Sequence, residues 1–124
     1  MRVLLDTNAI IHVRQNWPGF DQPTRDLLSD PIHTLYISPI SAVEITIKVA
    51  KGKLDPRFAE LMDTMTRAGW EELPFTIRHA ARTRTMPMYH SDPFDRMIIA
   101  QALTEGLPVV TTDRVFAAYG VQVI

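Results

Sequence analysis

Four acidic side chains in this sequence adjoin apolar segments, at positions where carboxylates could do chemistry: Asp6, Glu44, Asp95 and Asp113. Asp6 and Asp113 each follow an apolar or β-branched run, where a strand is expected to end. Glu44 lies in an apolar helix after a short strand, and Asp95 lies in the first turn of the helix that precedes Asp113. Strand ends and the first turns of the following helices share one edge of a parallel sheet. These carboxylates are therefore expected to meet there, with Asp92 nearby.

Several carboxylates held close together repel one another and cannot all stay ionised without compensation. The usual compensation is a hard divalent cation, and Mg²⁺ and Mn²⁺ prefer carboxylate oxygen and water as ligands. Such ions activate water and bind phosphate oxygens in phosphoryl displacement reactions. The acid pattern therefore predicts a metal-dependent nuclease or phosphatase.

Each of these acids also has a purely structural explanation. Asp6 can end a strand and open a turn, and Asp113 can cap the short helix after it. Glu44 can pair with Lys48 one helical turn later, and Asp95 can face the positive end of a helix dipole. The functional prediction depends on the coincidence of four acids at one predicted edge.

The segment HSDPFDR, which begins at His90, has the pattern of a helix start. Asp92 is predicted to be the N-cap, with Pro93 at the first helical position, where a missing N–H costs nothing. Asp95, three residues after the cap, is expected to reach back toward the N–H of Asp92 as in a capping box. His90 is interpreted as a loop or capping histidine and is not assigned as a metal ligand.

Strands and helices are predicted to alternate along the chain. Strands are expected at residues 2–5, 35–37, 70–73, 107–111 and 121–124. Helices are expected to start at residue 9, to cover 23–29, 40–50, 76–84 and 114–119, and to run from Asp55 to Gly69 and from Asp92 to Gly106. This alternation predicts an α/β fold with a mostly parallel sheet covered on both faces.

Composition narrows the class of protein further. The 124 residues are 46% hydrophobic and 22% charged, which predicts one folded domain. There is no cysteine, which excludes disulfides, thiolate metal sites and cysteine nucleophiles and fits a cytoplasmic protein. No apolar run predicts a membrane span. Because the net charge is −1, nucleic acid would have to be bound by a local basic patch.

Four segments of the chain resemble PIN-domain ribonucleases and, more narrowly, the VapC toxins of bacterial and archaeal toxin–antitoxin pairs. These segments are LLDTNAII, SPISAVEITIKVAKGKL, HSDPFDRMIIAQALTEGLPVVTTD and VFAAYGVQVI. DPFDR followed by AQA is the most specific piece, whereas TTD alone would be weak. The resemblance covers nearly the whole chain and implies a PIN-like three-layer α/β/α domain over residues 1–124.

The resemblance implies that an acidic pocket binds Mg²⁺ or Mn²⁺. By position, its catalytic metal ligands would be Asp6, Glu44, Asp95 and Asp113. No acid of this set is missing. The implied reaction is attack of water on an RNA phosphodiester, which leaves a 5′-phosphate and a 3′-hydroxyl.

Several further residues are expected to support this pocket. Asp92 matches the other aspartate of DPFDR and is interpreted as a cap beside the site. Water or phosphate is expected to be ordered by Thr7, Asn8 and Thr111, although the family often has histidine at the position of Asn8. Arg96 could touch phosphate, but an ion pair with a neighbouring carboxylate is the simpler interpretation.

The resemblance also implies partners. They are an RNA substrate, a cognate antitoxin whose tail fills the active groove, and a second copy of the chain in a homodimer. An RNA patch could form from Lys48, Lys51 and Lys53 or from Arg78, Arg82 and Arg84, although a solvated surface is the favoured interpretation of any one of these residues. Candidates for exposed contacts with a partner are Met86, Met88 and Tyr89, although a loop that packs on its own core explains them equally well.

Three alternatives fit the sequence less well. A haloacid-dehalogenase-type phosphatase needs an aspartate where this chain has Asn8. A phospho-receiver domain needs a lysine after a late strand, where this chain offers only Arg114. The intact set of acids argues against a non-catalytic PIN-like module that only binds RNA or protein. The sequence does not exclude such a module, and metal-dependent turnover would distinguish it from an enzyme.

Overall fold

The computed structural model describes residues 1–124, with a four-stranded parallel sheet at its centre. The strands, in chain order, are β1 (Arg2–Leu5), β2 (Thr34–Ile37), β3 (Glu71–Glu72) and β4 (Val109–Val110). Their order across the sheet is β3-β2-β1-β4, so β1 lies between β2 and β4. Val3 is in register with Leu35, and Leu5 is in register with Val110. The predicted parallel α/β sheet is confirmed.

Seven α-helices surround the sheet. They are α1 (Thr7–Arg14), α2 (Gln22–Ser29), α3 (Pro39–Ala50), α4 (Leu61–Arg67), α5 (Ile77–Arg82), α6 (Pro93–Glu105) and α7 (Val115–Ala118). Short 3₁₀ turns precede α4 at Pro56–Glu60 and follow α5 at Thr83–Thr85. None of the helices is both long and apolar enough to cross a bilayer.

Alternation along β1 separates two apolar cores. Val3 and Leu5 pack on one face, in a core that includes Ile10 of α1 and Ile45 of α3. Leu4 points to the other face and packs in a second core, which is formed largely by α6 and α7. Successive side chains of a strand point to opposite faces, so both faces of the sheet are covered. This is the expected three-layer α/β/α arrangement.

The predicted C-terminal strand at 121–124 does not form. This segment makes a single parallel bridge, between Val109 and Val123. The predicted strand at 107–111 is also shorter, because only Val109–Val110 pair with β1 before the chain turns at Thr111. The bridge consists of two backbone hydrogen bonds of Val109, which donates to the carbonyl oxygen of Gln122 and accepts the N–H of Ile124, both at 2.9 Å.

Two buried polar contacts hold α6 in position. The amide of Gln101, which is fully buried, donates to the carbonyl oxygens of Leu73 and Pro74 at 3.0 and 3.3 Å. At the end of α6, Glu105 lies 2.8 Å from Nε2 of the buried His79 on α5. These contacts connect α6 to the segment after β3 and to α5.

Replacement of a core residue of α6 tests this packing. Ile98 is fully buried, so Ile98→Ala should lower the free energy of unfolding by about 2–5 kcal/mol through lost burial and an added cavity. Ile77 has the same side chain in α5 but is 90% exposed, so Ile77→Ala should change it by no more than about 0.5 kcal/mol. Urea unfolding of both variants measures the difference. Equal losses would contradict the assignment of the second core.

Candidate active site

Asp6 follows β1 and lies at the carboxyl edge of the sheet. Its Oδ1 accepts the N–H of Ala9 at 2.8 Å, which caps α1, and its Oδ2 accepts the hydroxyl of Thr111 at 2.5 Å. The side chain is almost completely buried. Burial raises the pKa of Asp6 to about 6, the charges of Asp113 and Glu44 add to the rise, and the two hydrogen bonds oppose it. Both structural and functional roles of Asp6 are compatible with this geometry.

Thr111 connects Asp6 to Asp113. The Thr111 hydroxyl donates to Asp6 and accepts the N–H of Asp113 at 3.0 Å. Oδ1 of Asp113 accepts the N–H of Val115 at 2.9 Å, at the start of α7, and Oδ2 lies 2.8 Å from Nε2 of His90. Asp113 therefore accepts from the first residue of α7, whose N-cap is Arg114 rather than the predicted Asp113, and it also faces the site.

The first turn of α6 carries Asp92 and Asp95. Asp92 is the predicted N-cap, and its Oδ1 accepts the N–H groups of Phe94 and Asp95 at 2.8 and 3.3 Å. The predicted capping box is wrong. The N–H of Asp92 donates to Nδ1 of His90 at 3.2 Å, and the Asp95 carboxylate lies 2.9 Å from Nε2 of the same imidazole.

His90 is the site residue whose contacts sequence analysis missed. It has the expected capping contact through Nδ1, but its Nε2 lies between Asp95 and Asp113. Potential ligand atoms of these three residues lie within 4.8 Å of one another. The only signal in the sequence was a histidine two residues before an N-cap, which does not indicate contact with the distant Asp113.

Glu44 enters the site from α3. It is buried, and its Oε2 forms the predicted ion pair with Lys48 at 2.9 Å. Its Oε1 is also buried and has no hydrogen-bond partner. A buried carboxylate oxygen without a partner is costly, so the Lys48 contact does not by itself account for this side chain.

Burial and neighbouring charges together raise the pKa values of two of the acids, Asp6 and Asp95. Burial is the largest cause of a rise in the pKa of Asp95 to about 7, followed by the charge of Asp92. His90 opposes this rise, whereas Asp6 and Glu44 add to it. Glu44 and Asp6 lie outside the 4.8 Å group but close enough to influence Asp95. The predicted edge therefore brings all four acids into one electrostatic environment.

The residues predicted to support the acidic pocket differ in their contacts and exposure. The Thr7 hydroxyl lies 2.9 Å from that of Ser41, where it connects α1 to α3, and Asn8 is exposed. The simpler interpretation of Arg96, an ion pair with a neighbouring carboxylate, is wrong. Its guanidinium donates to the carbonyl oxygen of Pro87 at 2.8 Å and to two further carbonyls, because the start of α6 packs beneath this loop.

Some of the candidate surface residues are exposed and others are buried. Met86 was expected to be exposed, but it is buried in the second core, whereas Met88 and Tyr89 are exposed. Lys51 and Lys53 are exposed at the end of α3, whereas Lys48 is half-buried against Glu44. On the other predicted basic surface, exposed side chains are present at Arg78, Arg82 and Arg84.

These residues fit a hard divalent cation. The four acids offer only oxygen, and Glu44 has a buried oxygen without a partner. The pKa values of Asp6 and Asp95 are raised, mainly by burial and further by neighbouring acids, so ionised carboxylates are unfavourable there without a cation. Carboxylate oxygens are the ligands that Mg²⁺ and Mn²⁺ prefer. Cation binding would relieve both the repulsion and the unpaired acceptor.

Comparison with known families identifies the family of this chain. The sequence model of the PIN domain matches residues 3–122, which is nearly the whole chain. The chain is a PIN domain. A comparison with curated protein sequences gave no match.

Solved structures share the fold of this PIN domain along its full length. VapBC from Salmonella typhimurium, solved bound to DNA, is 26% identical with a TM-score of 0.74, and the match covers 100% of this chain and 97% of that one. FitAcB from Neisseria gonorrhoeae is 25% identical with a TM-score of 0.69, covering 100% and 96%. VapBC2 from Rickettsia felis, bound to a promoter fragment, is 19% identical with a TM-score of 0.76, covering 100% and 98%.

The raised pKa of Asp95 predicts a specific pH dependence of stability in metal-free protein. A pKa of about 7 means that the folded chain keeps a proton that the unfolded chain releases near pH 4. The stabilising contribution is therefore complete below pH 4 and is lost as pH rises to about 7. Between pH 5 and pH 8, wild type should lose more unfolding free energy than Asp95→Asn, by more than about 1 kcal/mol.

Urea unfolding in chelator at the two pH values measures this difference. Asp63→Asn is the matched control, because Asp63 is an exposed acid on α4. It should behave like wild type. A wild type and an Asp95→Asn variant with the same pH dependence would show that Asp95 is not under electrostatic stress.

Two substitutions of Asp92 separate its role as the N-cap of α6 from the effect of its negative charge on Asp95. Asp92→Ala removes two accepted hydrogen bonds and should lower the unfolding free energy by about 1 kcal/mol. Asp92→Asn keeps a capping oxygen and removes the charge that raises the pKa of Asp95, so it should be at least as stable as wild type. Thermal unfolding of both variants checks this order, and a stable Asp92→Ala would contradict the capping role.

Proposed function

We propose that this PIN domain is a metal-dependent endoribonuclease and the toxin of a type II toxin–antitoxin system, which cleaves RNA and so inhibits translation and growth. One observation carries the proposal: four acids from separate elements meet at one edge of the sheet, where burial and neighbouring acids raise the pKa values of Asp6 and Asp95 and a buried oxygen of Glu44 has no partner. A purely structural set of caps would not need Glu44, whose buried Oε1 has no partner. PIN domains are nucleases, which supports a catalytic interpretation.

The proposed cofactor is Mg²⁺ or Mn²⁺, and the proposed ligands are Asp6, Glu44, Asp95 and Asp113. When bound, such a cation supplies Lewis-acid polarisation of the phosphodiester and activation of the attacking water. The hydrogen bonds from Ala9 and Thr111 orient the Asp6 carboxylate before a cation binds. Because the pKa of Asp95 is about 7, its carboxyl is only partly ionised at neutral pH. Asp95 must therefore lose its proton before it can act as a ligand.

Hydrolysis requires little covalent chemistry from the side chains. The acids orient the reacting groups by holding the cation, and water attack on phosphorus expels the 3′-oxygen of the preceding nucleotide. The products carry a 5′-phosphate and a 3′-hydroxyl. The proposed contacts with RNA outside the acids are the exposed basic side chains, of which Lys51 and Lys53 lie at the end of the helix that carries Glu44.

The proposed partners are RNA, a cognate antitoxin and a second copy of the chain. The similar structures support the antitoxin, because they include VapBC complexes and a toxin–antitoxin complex from Klebsiella pneumoniae. An antitoxin segment that fills the acidic groove would block access of RNA to the proposed ligands. We place this system in the cytoplasm, where its RNA substrate and antitoxin would meet it.

Cleavage of structured RNA by the purified chain tests the proposed activity. Wild type should cleave with Mg²⁺ or Mn²⁺ and not with chelator. Asp95→Asn and Asp113→Asn keep similar shapes but remove ligand charge, so each should lower the rate by about a hundredfold or more. Asp63→Asn changes an exposed acid on α4 that is not among the proposed ligands, so this variant should cleave like wild type.

The chemical nature of the product ends and the range of RNAs that are cleaved complete this test. The expected products of RNA have 5′-phosphates, which ligation to an acceptor RNA detects. Equal cleavage in chelator would contradict metal dependence. A folded wild type that binds RNA or an antitoxin but cuts none of a panel of transfer, ribosomal and messenger RNAs would favour the non-catalytic module.

A further inference from the structure

His90 joins two candidate metal ligands that come from different elements. Its Nε2 lies 2.9 Å from a carboxylate oxygen of Asp95 on α6 and 2.8 Å from one of Asp113 after β4. The imidazole side chain is only 16% exposed, and it meets the fully buried ring of Phe116 edge-on at 6.4 Å. The contact therefore lies inside the site and spans two parts of the fold.

The other ring nitrogen decides what Nε2 can do. Nδ1 faces the backbone N–H of Asp92 at 3.2 Å, and a backbone N–H can only donate. Nδ1 is therefore the acceptor, and the proton of the neutral imidazole is on Nε2. A protonated Nε2 donates to the two carboxylates and cannot bind a cation. Although the three residues have the spacing of a metal site, His90 is a hydrogen-bond donor within it.

The backbone on both sides of His90 is held in place. The N–H of His90 donates to the Tyr119 hydroxyl at 2.9 Å, and this hydroxyl donates to the carbonyl oxygen of Pro87 at 2.7 Å. Arg96 donates to the same carbonyl and to the Tyr119 oxygen. These contacts join the loop to α6 and to the residue that follows α7. They limit the positions that the imidazole can take.

We propose that His90 is a positioning residue for the cation: its Nε2–H holds the carboxylates of Asp95 and Asp113 in the orientation that binds the metal. The inference depends on the proposed function, because it concerns the same cation. Each carboxylate oxygen has two lone pairs, so one can accept from His90 while another remains for the cation. Without this donor, the two carboxylates repel each other and must be ordered when the cation binds.

Mn²⁺ affinity, measured by calorimetry on the purified chain without RNA, tests this role. His90→Ala should weaken Mn²⁺ binding by about 10- to 100-fold. His90→Gln places an amide N–H donor near the position of Nε2 and should recover most of the affinity. His33→Ala is the control, because His33 precedes β2 and lies at the opposite edge of the sheet, where it contacts the N-terminus.

A second readout separates positioning from a general loss of structure. In cleavage assays, His90→Ala should need more Mn²⁺ for half-maximal rate but approach the wild-type rate at saturating Mn²⁺. Long-range ¹⁵N–¹H NMR of wild type should show the proton on Nε2 both without metal and with saturating Mg²⁺. The NMR measurement uses only the wild-type protein, so it does not depend on whether a variant folds.

The outcomes distinguish the two proposals. If wild type does not bind Mn²⁺, the proposed function fails and this inference fails with it. If wild type binds Mn²⁺ but His90→Ala binds it equally well, or if His90→Gln recovers no affinity, only the role of His90 is overturned. Loss of the Nε2 proton when Mg²⁺ binds would overturn it as well, since His90 would then be a ligand.

Discussion

The burial of several carboxylates close to one another is the constraint on which this site depends. A parallel sheet directs the ends of its strands to one edge, so acids placed after β1 and β4 inevitably come together. Burial and mutual repulsion raise the pKa of Asp6 to about 6 and that of Asp95 to about 7. The surrounding donors reduce this cost without removing it. Such an arrangement is stable enough to fold because the two apolar cores lie directly beneath it, and it favours binding of a cation.

Helix capping and the site use the same side chains. Asp6 caps α1, Asp92 caps α6, and Asp113 accepts an N–H at the start of α7. A cap fixes a carboxylate relative to a helix, and the helix is fixed by the core, so the local contacts provide the rigidity that a metal site needs. Glu44 is the exception, because it lies within α3 rather than at its start.

Sequence analysis predicted the sheet and the meeting of the four acids because both follow from local patterns. Apolar runs, caps and prolines mark where elements begin and end, and the edge rule for parallel sheets then places Asp6 and Asp113 together. It failed where contacts join distant segments. The pairing of His90 with Asp113 spans 23 positions, and Arg96 turns from its acidic neighbours to loop carbonyls. The prediction of a last strand at 121–124 was wrong, because only one residue of this segment, Val123, pairs with β4.

The most direct test of a metal-dependent site is a crystal structure of the chain grown with Mn²⁺, with anomalous scattering used to locate the ion. The account predicts an anomalous peak at the carboxyl edge of the sheet, with oxygen ligands from the set Asp6, Glu44, Asp95 and Asp113. His90 should remain hydrogen-bonded to the ligand carboxylates. Absence of the ion from this edge at saturating Mn²⁺, or an ion bound only elsewhere on the surface, would contradict the account.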